Sequence, residues 1–104
     1  MIRFVLCDDN LQILNRINTV LEKIFFKNNI DAKVVFTATN ADEVLQFTNN
    51  NIVDVLFLDI NLKSKLTGCD VADIVRNKNK NVYIVFLTGH LEYALLAYKY
   101  KTFD

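Results

Sequence analysis

Asp54-Val55-Leu56-Phe57-Leu58-Asp59-Ile60 is the stretch that decides the fold. Four consecutive apolar residues, Val55 to Leu58, stand between two acids. Unbroken apolarity, rather than alternation, marks a strand buried on both faces, so residues 54–60 are expected to form a strand central to a parallel sheet. Three asparagines at 49–51 close the preceding element, and a polar loop from 61 to 67, ending at Gly68, follows.

Working upstream, Asn40 can cap a helix and Glu43, three positions later, can complete a capping box. Val44, Leu45 and Phe47 give that helix an apolar face. Residues 33–37 are β-branched or aromatic in character and read as a strand. Leu11, Leu14, Ile17, Leu21 and Ile24 recur at three- and four-residue spacing, the core stripe of a helix that stops at Asn28-Asn29. Residues 2–6 form the opening strand, bounded by Asp8-Asp9-Asn10. Downstream, Val71, Ala72, Ile74 and Val75 mark a third helix, residues 82–87 a fourth strand, and residues 91–100 a last helical pattern. Strands alternating with helices imply right-handed crossovers, a mostly parallel sheet and helices on both faces.

The 104 residues are one domain's worth. Apolar residues make up 52% and charged residues 23%, a globular balance. Twelve basic and twelve acidic side chains cancel, so no basic stripe recommends the chain as a nucleic-acid binder. No apolar run approaches the roughly 20 residues of a membrane helix, and the short apolar start runs straight into acids, unlike a signal peptide. The chain reads as cytoplasmic. Two cysteines, Cys7 and Cys69, make neither a disulfide framework nor a zinc site, and the acids beside Cys7 disfavour its thiolate.

In a parallel α/β sheet, function collects at the carboxyl ends of the strands. The first strand hands over to Asp8 and Asp9, the third ends at Asp59 before Ile60 and Asn61, and the fourth hands over to Thr88 and Gly89. If the first and third strands are neighbours, three carboxylates meet at one rim, where they repel and raise each other's pKa values. Three acids without a paired base are best explained by a cation, and hard oxygen donors suit Mg²⁺. The bland alternative is that Asp8, Asp9 or Asn10 only caps the following helix. Asp59 is no helix cap, because it ends a hydrophobic strand and Ile60 follows.

These residues together resemble the receiver domain of two-component response regulators. The likeness lies in Asp8-Asp9, in Val55-Leu56-Phe57-Leu58-Asp59-Ile60-Asn61 and in Thr88-Gly89, and covers essentially the whole chain. The Leu-Asp-Ile-Asn-Leu segment, the longer loop to Gly68, and Thr-Gly-His-Leu-Glu-Tyr-Ala at 88–94 resemble the LytTR-type branch, with Agr-type quorum-sensing regulators as the likeness.

The resemblance implies a flavodoxin-like (CheY-like) doubly wound α/β fold with strand order 2-1-3-4-5. It implies Asp59 as phosphoacceptor from a sensor histidine kinase. Asp8, Asp9, Asp59 and the backbone carbonyl of Asn61 would serve Mg²⁺, Asp8 mainly through water. Thr88 would contact the phosphoryl group and switch, and Gly89 would leave room for that group and for water. Phosphoryl transfer needs positioning and charge neutralisation more than covalent chemistry, which agrees with so sparse a set.

The family's fifth strand, its lysine and its fifth helix have no counterpart before Asp104, so the chain is expected to be a receiver cut before its fifth strand, with a DNA-binding output domain lying outside it. The fourth strand, apolar and free of proline, would then be an exposed edge through which copies dimerise, exchange strands or aggregate. Lys99 and Lys101 read as solvated lysines, and His90 as a surface residue at a helix start. Two other functions compete. One is a receiver-like interaction module working without phosphate. The other is a haloacid-dehalogenase-like phosphatase, which needs a second aspartate where this chain has Asn61.

Overall fold

The computed structural model describes residues 1–63 and 65–87. The elements, in chain order, are β1 (Ile2–Cys7), α1 (Leu11–Lys27), β2 (Ala32–Ala38), α2 (Ala41–Asn50), β3 (Val55–Asp59), α3 (Gly68–Lys78) and β4 (Tyr83–Leu87). The four strands are parallel and lie in the order β2-β1-β3-β4. This is the CheY-like arrangement expected from the sequence. From β1 the chain builds outward in both directions, so the topological switch point lies between β1 and β3.

Period-2 alternation divides the strands between two faces. One face carries Val5, Cys7, Ala38, Leu56, Leu58, Ile84 and Phe86, packed with Ala41 and Val44 of α2 and Val71, Ala72 and Val75 of α3. On the other, Phe4 meets Phe25 of α1 at a ring-centroid distance of 4.8 Å and Phe57 of β3 at 6.0 Å. Coverage is uneven. Leu56 and Leu58 are fully buried, while Val55 and Phe57 on the α1 side are half-buried, so β3 is not closed on both faces to the degree its apolar run implied.

The stripe of α1 also departs from expectation. Leu14 and Phe25 are its buried residues, whereas Leu11 is 63% exposed and Ile24 is 42% exposed. A helix turns 3.6 residues per turn, so a stripe through Leu14, Ile17 and Leu21 reaches the sheet next at Phe25. Asn29 then takes φ 53°, a left-handed conformation that asparagine tolerates and that ends the helix.

Asn40 caps α2 as expected, its side chain accepting from the Glu43 amide at 2.9 Å. The reciprocal bond differs: the Glu43 carboxylate accepts from the Thr39 amide at 2.9 Å and the Thr39 hydroxyl at 3.2 Å, not from Asn40. At the other end, Asn50 and Asn51 donate from their side chains to the carbonyls of Gln46 and Phe47, both at 3.0 Å, which is how this asparagine run stops the helix.

Asp54 and Ile60 fall just outside β3. Asp54 instead ties to β1, accepting from the Arg3 amide at 2.7 Å and donating its own amide to the Arg3 carbonyl at 2.9 Å. No helix among the described residues is long and apolar enough to cross a membrane. Thr88, Gly89, His90, Lys99, Lys101 and the helix expected at 91–100 lie outside the described residues.

Candidate functional site

β1 and β3 are hydrogen-bonded neighbours, with Cys7 opposite Leu58. One residue further on stand acids: Asp8 just after β1 and Asp59 as the last residue of β3. Asp8, Asp9 and Asp59 each offer a carboxylate oxygen, and these atoms lie within 4.8 Å of one another. The sequence expectation of three converging acids is met.

The capping alternative is settled by Asn10. Its side chain accepts from the amides of Gln12 at 2.9 Å and Ile13 at 3.2 Å, so α1 is capped without either aspartate. The two strand-end acids are held instead by matching turns. Asp8 accepts from the Asn10 amide at 2.9 Å, and Asp59 accepts from the Asn61 amide at 2.9 Å. In each case the bond turns the carboxylate back over the residue that follows the strand. Asp8 is 4% exposed, Asp59 is half-buried and Asp9 is exposed.

Burial raises the Asp8 carboxyl above its ordinary range, with the Asp59 and Asp9 charges adding to it and the Asn10 amide opposing. Burial likewise raises Asp59, the Asn61 amide and the Lys63 charge opposing and Asp9 adding. Cys7, behind the cluster, is pushed up to about 12, by burial first and then by the surrounding acids, so it remains a thiol. The desolvated acids repel one another, and a bound cation is the simplest relief. Carboxylate oxygens this close suit a hard divalent ion such as Mg²⁺, so the donor set fits that metal.

Asn61 occupies the turn tied to Asp59, its amide donating to the Asp59 carboxylate. Leu87, the residue before Thr88, is the β4 partner of Asp59. Three residues near the site were not singled out by the sequence reading. Lys63 acts on Asp59 from the loop after β3, and its only sequence signal is a positive charge four residues beyond an acid. Thr67 and Asp70 form a full capping box at the start of α3, the Thr67 hydroxyl accepting from the Asp70 amide at 3.2 Å and the Asp70 carboxylate from the Thr67 amide at 3.0 Å. The Thr-x-x-Asp spacing was a readable signal for it.

A family model, that of the response regulator receiver domain, matches residues 4–104. The chain belongs to this family. Among curated relatives of this receiver domain, the transcriptional regulatory protein NatR of Bacillus subtilis is 26% identical over 104 residues, covering 100% of this chain and 42% of NatR. The sensory transduction protein LytR of Staphylococcus saprophyticus is 29% identical over 102 residues, covering 98% of this chain and 38% of LytR. The chain thus spans about two fifths of the length of these relatives. Among solved structures, the response regulator TrrA of Thermotoga maritima in complex with Mg²⁺-BeF is 26% identical with a TM-score of 0.70, covering 96% of this chain and 81% of that one. TrrA in complex with the histidine kinase ThkA gives 25% identity and a TM-score of 0.71, over 88% of this chain and 73% of that one.

Proposed function

We propose that this receiver domain is a phosphorylation switch in which Asp59 accepts a phosphoryl group from the histidine of a sensor kinase. The observation that carries the reading is the convergence of Asp8, Asp9 and Asp59 at the switch point of the sheet. A carboxylate oxygen of Asp59 forms the new bond to phosphorus. The bond from phosphorus to the kinase imidazole breaks, and its electron pair returns to the ring nitrogen.

Asp59 is suited to this because the Asn61 amide fixes one of its oxygens by a hydrogen bond, which orients the carboxylate before attack. Asp8, Asp9, Asp59 and the Asn61 carbonyl are the residues that would hold Mg²⁺. When bound, it supplies the charge neutralisation that lets an anionic nucleophile approach an anionic phosphoryl group. Thr88 is proposed as the hydroxyl that contacts the phosphoryl group afterwards, and Gly89 as the residue that leaves space for it. The relation to Mg²⁺-BeF in TrrA and to ThkA as TrrA's partner supports this reading.

The output we propose is transcriptional, through a DNA-binding region of the LytTR type following Asp104 in a longer cytoplasmic protein, after a fifth strand that brings a lysine to the site. Similarity to NatR, a transcriptional regulator, and to LytR supports that branch, and the Agr-type likeness of residues 88–94 is in keeping with it.

The test has two stages. Mg²⁺ is titrated into nitrogen-15-labelled protein, and amides of residues 8, 9, 59 and 61 are expected to shift in the wild type and not in Asp59→Asn. Acetyl phosphate with Mg²⁺ is then expected to give a phosphoprotein band that Asp59→Asn lacks. A dispersed spectrum blind to Mg²⁺, with no phosphoprotein, would favour an interaction module instead.

A further inference from the structure

We propose that Gly68 is a positioning residue for Asp59: its missing side chain lets the first turn of α3 seat directly on the Asp59–Ile60 backbone and thereby fixes the phosphoacceptor turn. The inference rests on the phosphoacceptor reading of Asp59. Gly68 is buried and its φ is not positive, so conformational freedom is not what glycine supplies here. Space is. A Cβ at position 68 would collide with the Asp59 carbonyl oxygen and lie 2.6 Å from the Ile60 Cα and 2.9 Å from the Ile60 carbonyl carbon. All three atoms are backbone, so no flexible side chain can swing aside to make room.

The contact sits within a short junction. The Gly68 amide donates to the Ile60 carbonyl at 3.2 Å, and the Ile60 amide donates to the Leu87 carbonyl of β4 at 3.2 Å. Ile60 is therefore pinned between the start of α3 and the end of β4. Its chain neighbours are Asp59 and Asn61, which are themselves tied by the bond from the Asn61 amide to the Asp59 carboxylate. The Thr67–Asp70 capping box fixes where α3 begins, and so where Gly68 presses. Any side chain at 68 must push the helix away or displace the Asp59–Ile60 peptide. Either movement reaches the carboxylate and the Asn61 turn, while Asp8 and Asp9, which follow β1, make none of these contacts. A supporting residue of this kind typically changes metal affinity without touching the metal.

The test compares Mg²⁺ titrations, followed by amide NMR, of the wild type, Gly68→Ala and Val75→Ala. Val75 is buried in the same helix about two turns further on. Gly68→Ala is expected to weaken Mg²⁺ binding by about tenfold or more. Its Mg²⁺-free spectrum is expected to move the amides of residues 59–61 and leave residues 8 and 9 in place. Val75→Ala is expected to melt at lower temperature with Mg²⁺ affinity unchanged, which a merely structural role for Gly68 would reproduce. Should Gly68→Ala not fold, Thr67→Ala loosens the helix start without adding bulk, and is expected to weaken Mg²⁺ binding more than Val75→Ala does. Wild-type Mg²⁺ affinity in Gly68→Ala, or in Thr67→Ala where Gly68→Ala does not fold, would overturn the inference alone. A folded wild type that ignores Mg²⁺ would overturn the phosphoacceptor reading and this inference with it.

Discussion

Along β3, Leu56 and Leu58 are fully buried on the face packed by α2 and α3, whereas Asp59, one residue beyond Leu58, is half-buried beside two other acids. The same strand thus passes within a few residues from apolar packing to concentrated like charge. Apolar burial stabilises the fold roughly in proportion to area. The acid cluster does the opposite, because burial raises both Asp8 and Asp59 and no described basic side chain closes onto Asp8. The interior of the sheet stabilises the fold, and its carboxyl rim gathers like charge at a cost in stability that the interior offsets.

Leu56→Ala should show the largest loss, about 3 kcal/mol, because it removes a fully buried side chain from the packed face. Urea unfolding would measure it, and Mg²⁺-induced amide shifts should survive in the folded variant. A loss below about 1 kcal/mol would mean that the interior relaxes as readily as the rim.

Mg²⁺ at ten times its Kd should stabilise the wild type by about 1.4 kcal/mol, from simple mass action on the folded state. Thermal melts with and without the ion would show it. Asp59→Asn should remove most of this gain. Thr67→Ala should cost about 1 kcal/mol by deleting the cap of α3, a loss measurable by chemical denaturation.

The pH dependence should carry the sign of the rim. The carboxyls of Asp8 and Asp59 are raised in the folded state, so the native protein holds protons that the unfolded chain gives up. Their penalty is full above the raised folded values. It is relieved as pH falls through them toward the ordinary 3.8. Melts of Asp59→Asn without Mg²⁺ should show a weaker dependence in this window and stability at neutral pH no lower than the wild type's. Smallest of all, Ile24→Ala on the exposed side of α1 should change stability by less than about 0.5 kcal/mol, whereas a loss like that at Leu56 would place Ile24 in the core.

Much of this arrangement was legible in the chain. A run such as Val55 to Leu58 favours a strand largely buried in a parallel sheet, and strands alternating with helical stripes leave few topologies. The acids at 8, 9 and 59 stood out because each follows an apolar strand. The phase of α1 was harder to read, since Ile24 and Phe25 are both apolar and periodicity alone does not choose between them. Phe25 is the one buried because Phe4 lies beneath it.

Residue order alone therefore determined the strands, their parallel sheet and the acidic character of its rim, since apolar periodicity and strand-end charge are local properties. Only the tertiary structure decided that Asn10, not Asp8 or Asp9, caps α1. It also decided that the three carboxylates come within 4.8 Å, and that position 68 has no room for a side chain. The last two are distances between segments far apart in the chain, and they exist only once β1 lies beside β3 and α3 has folded back onto the strand end.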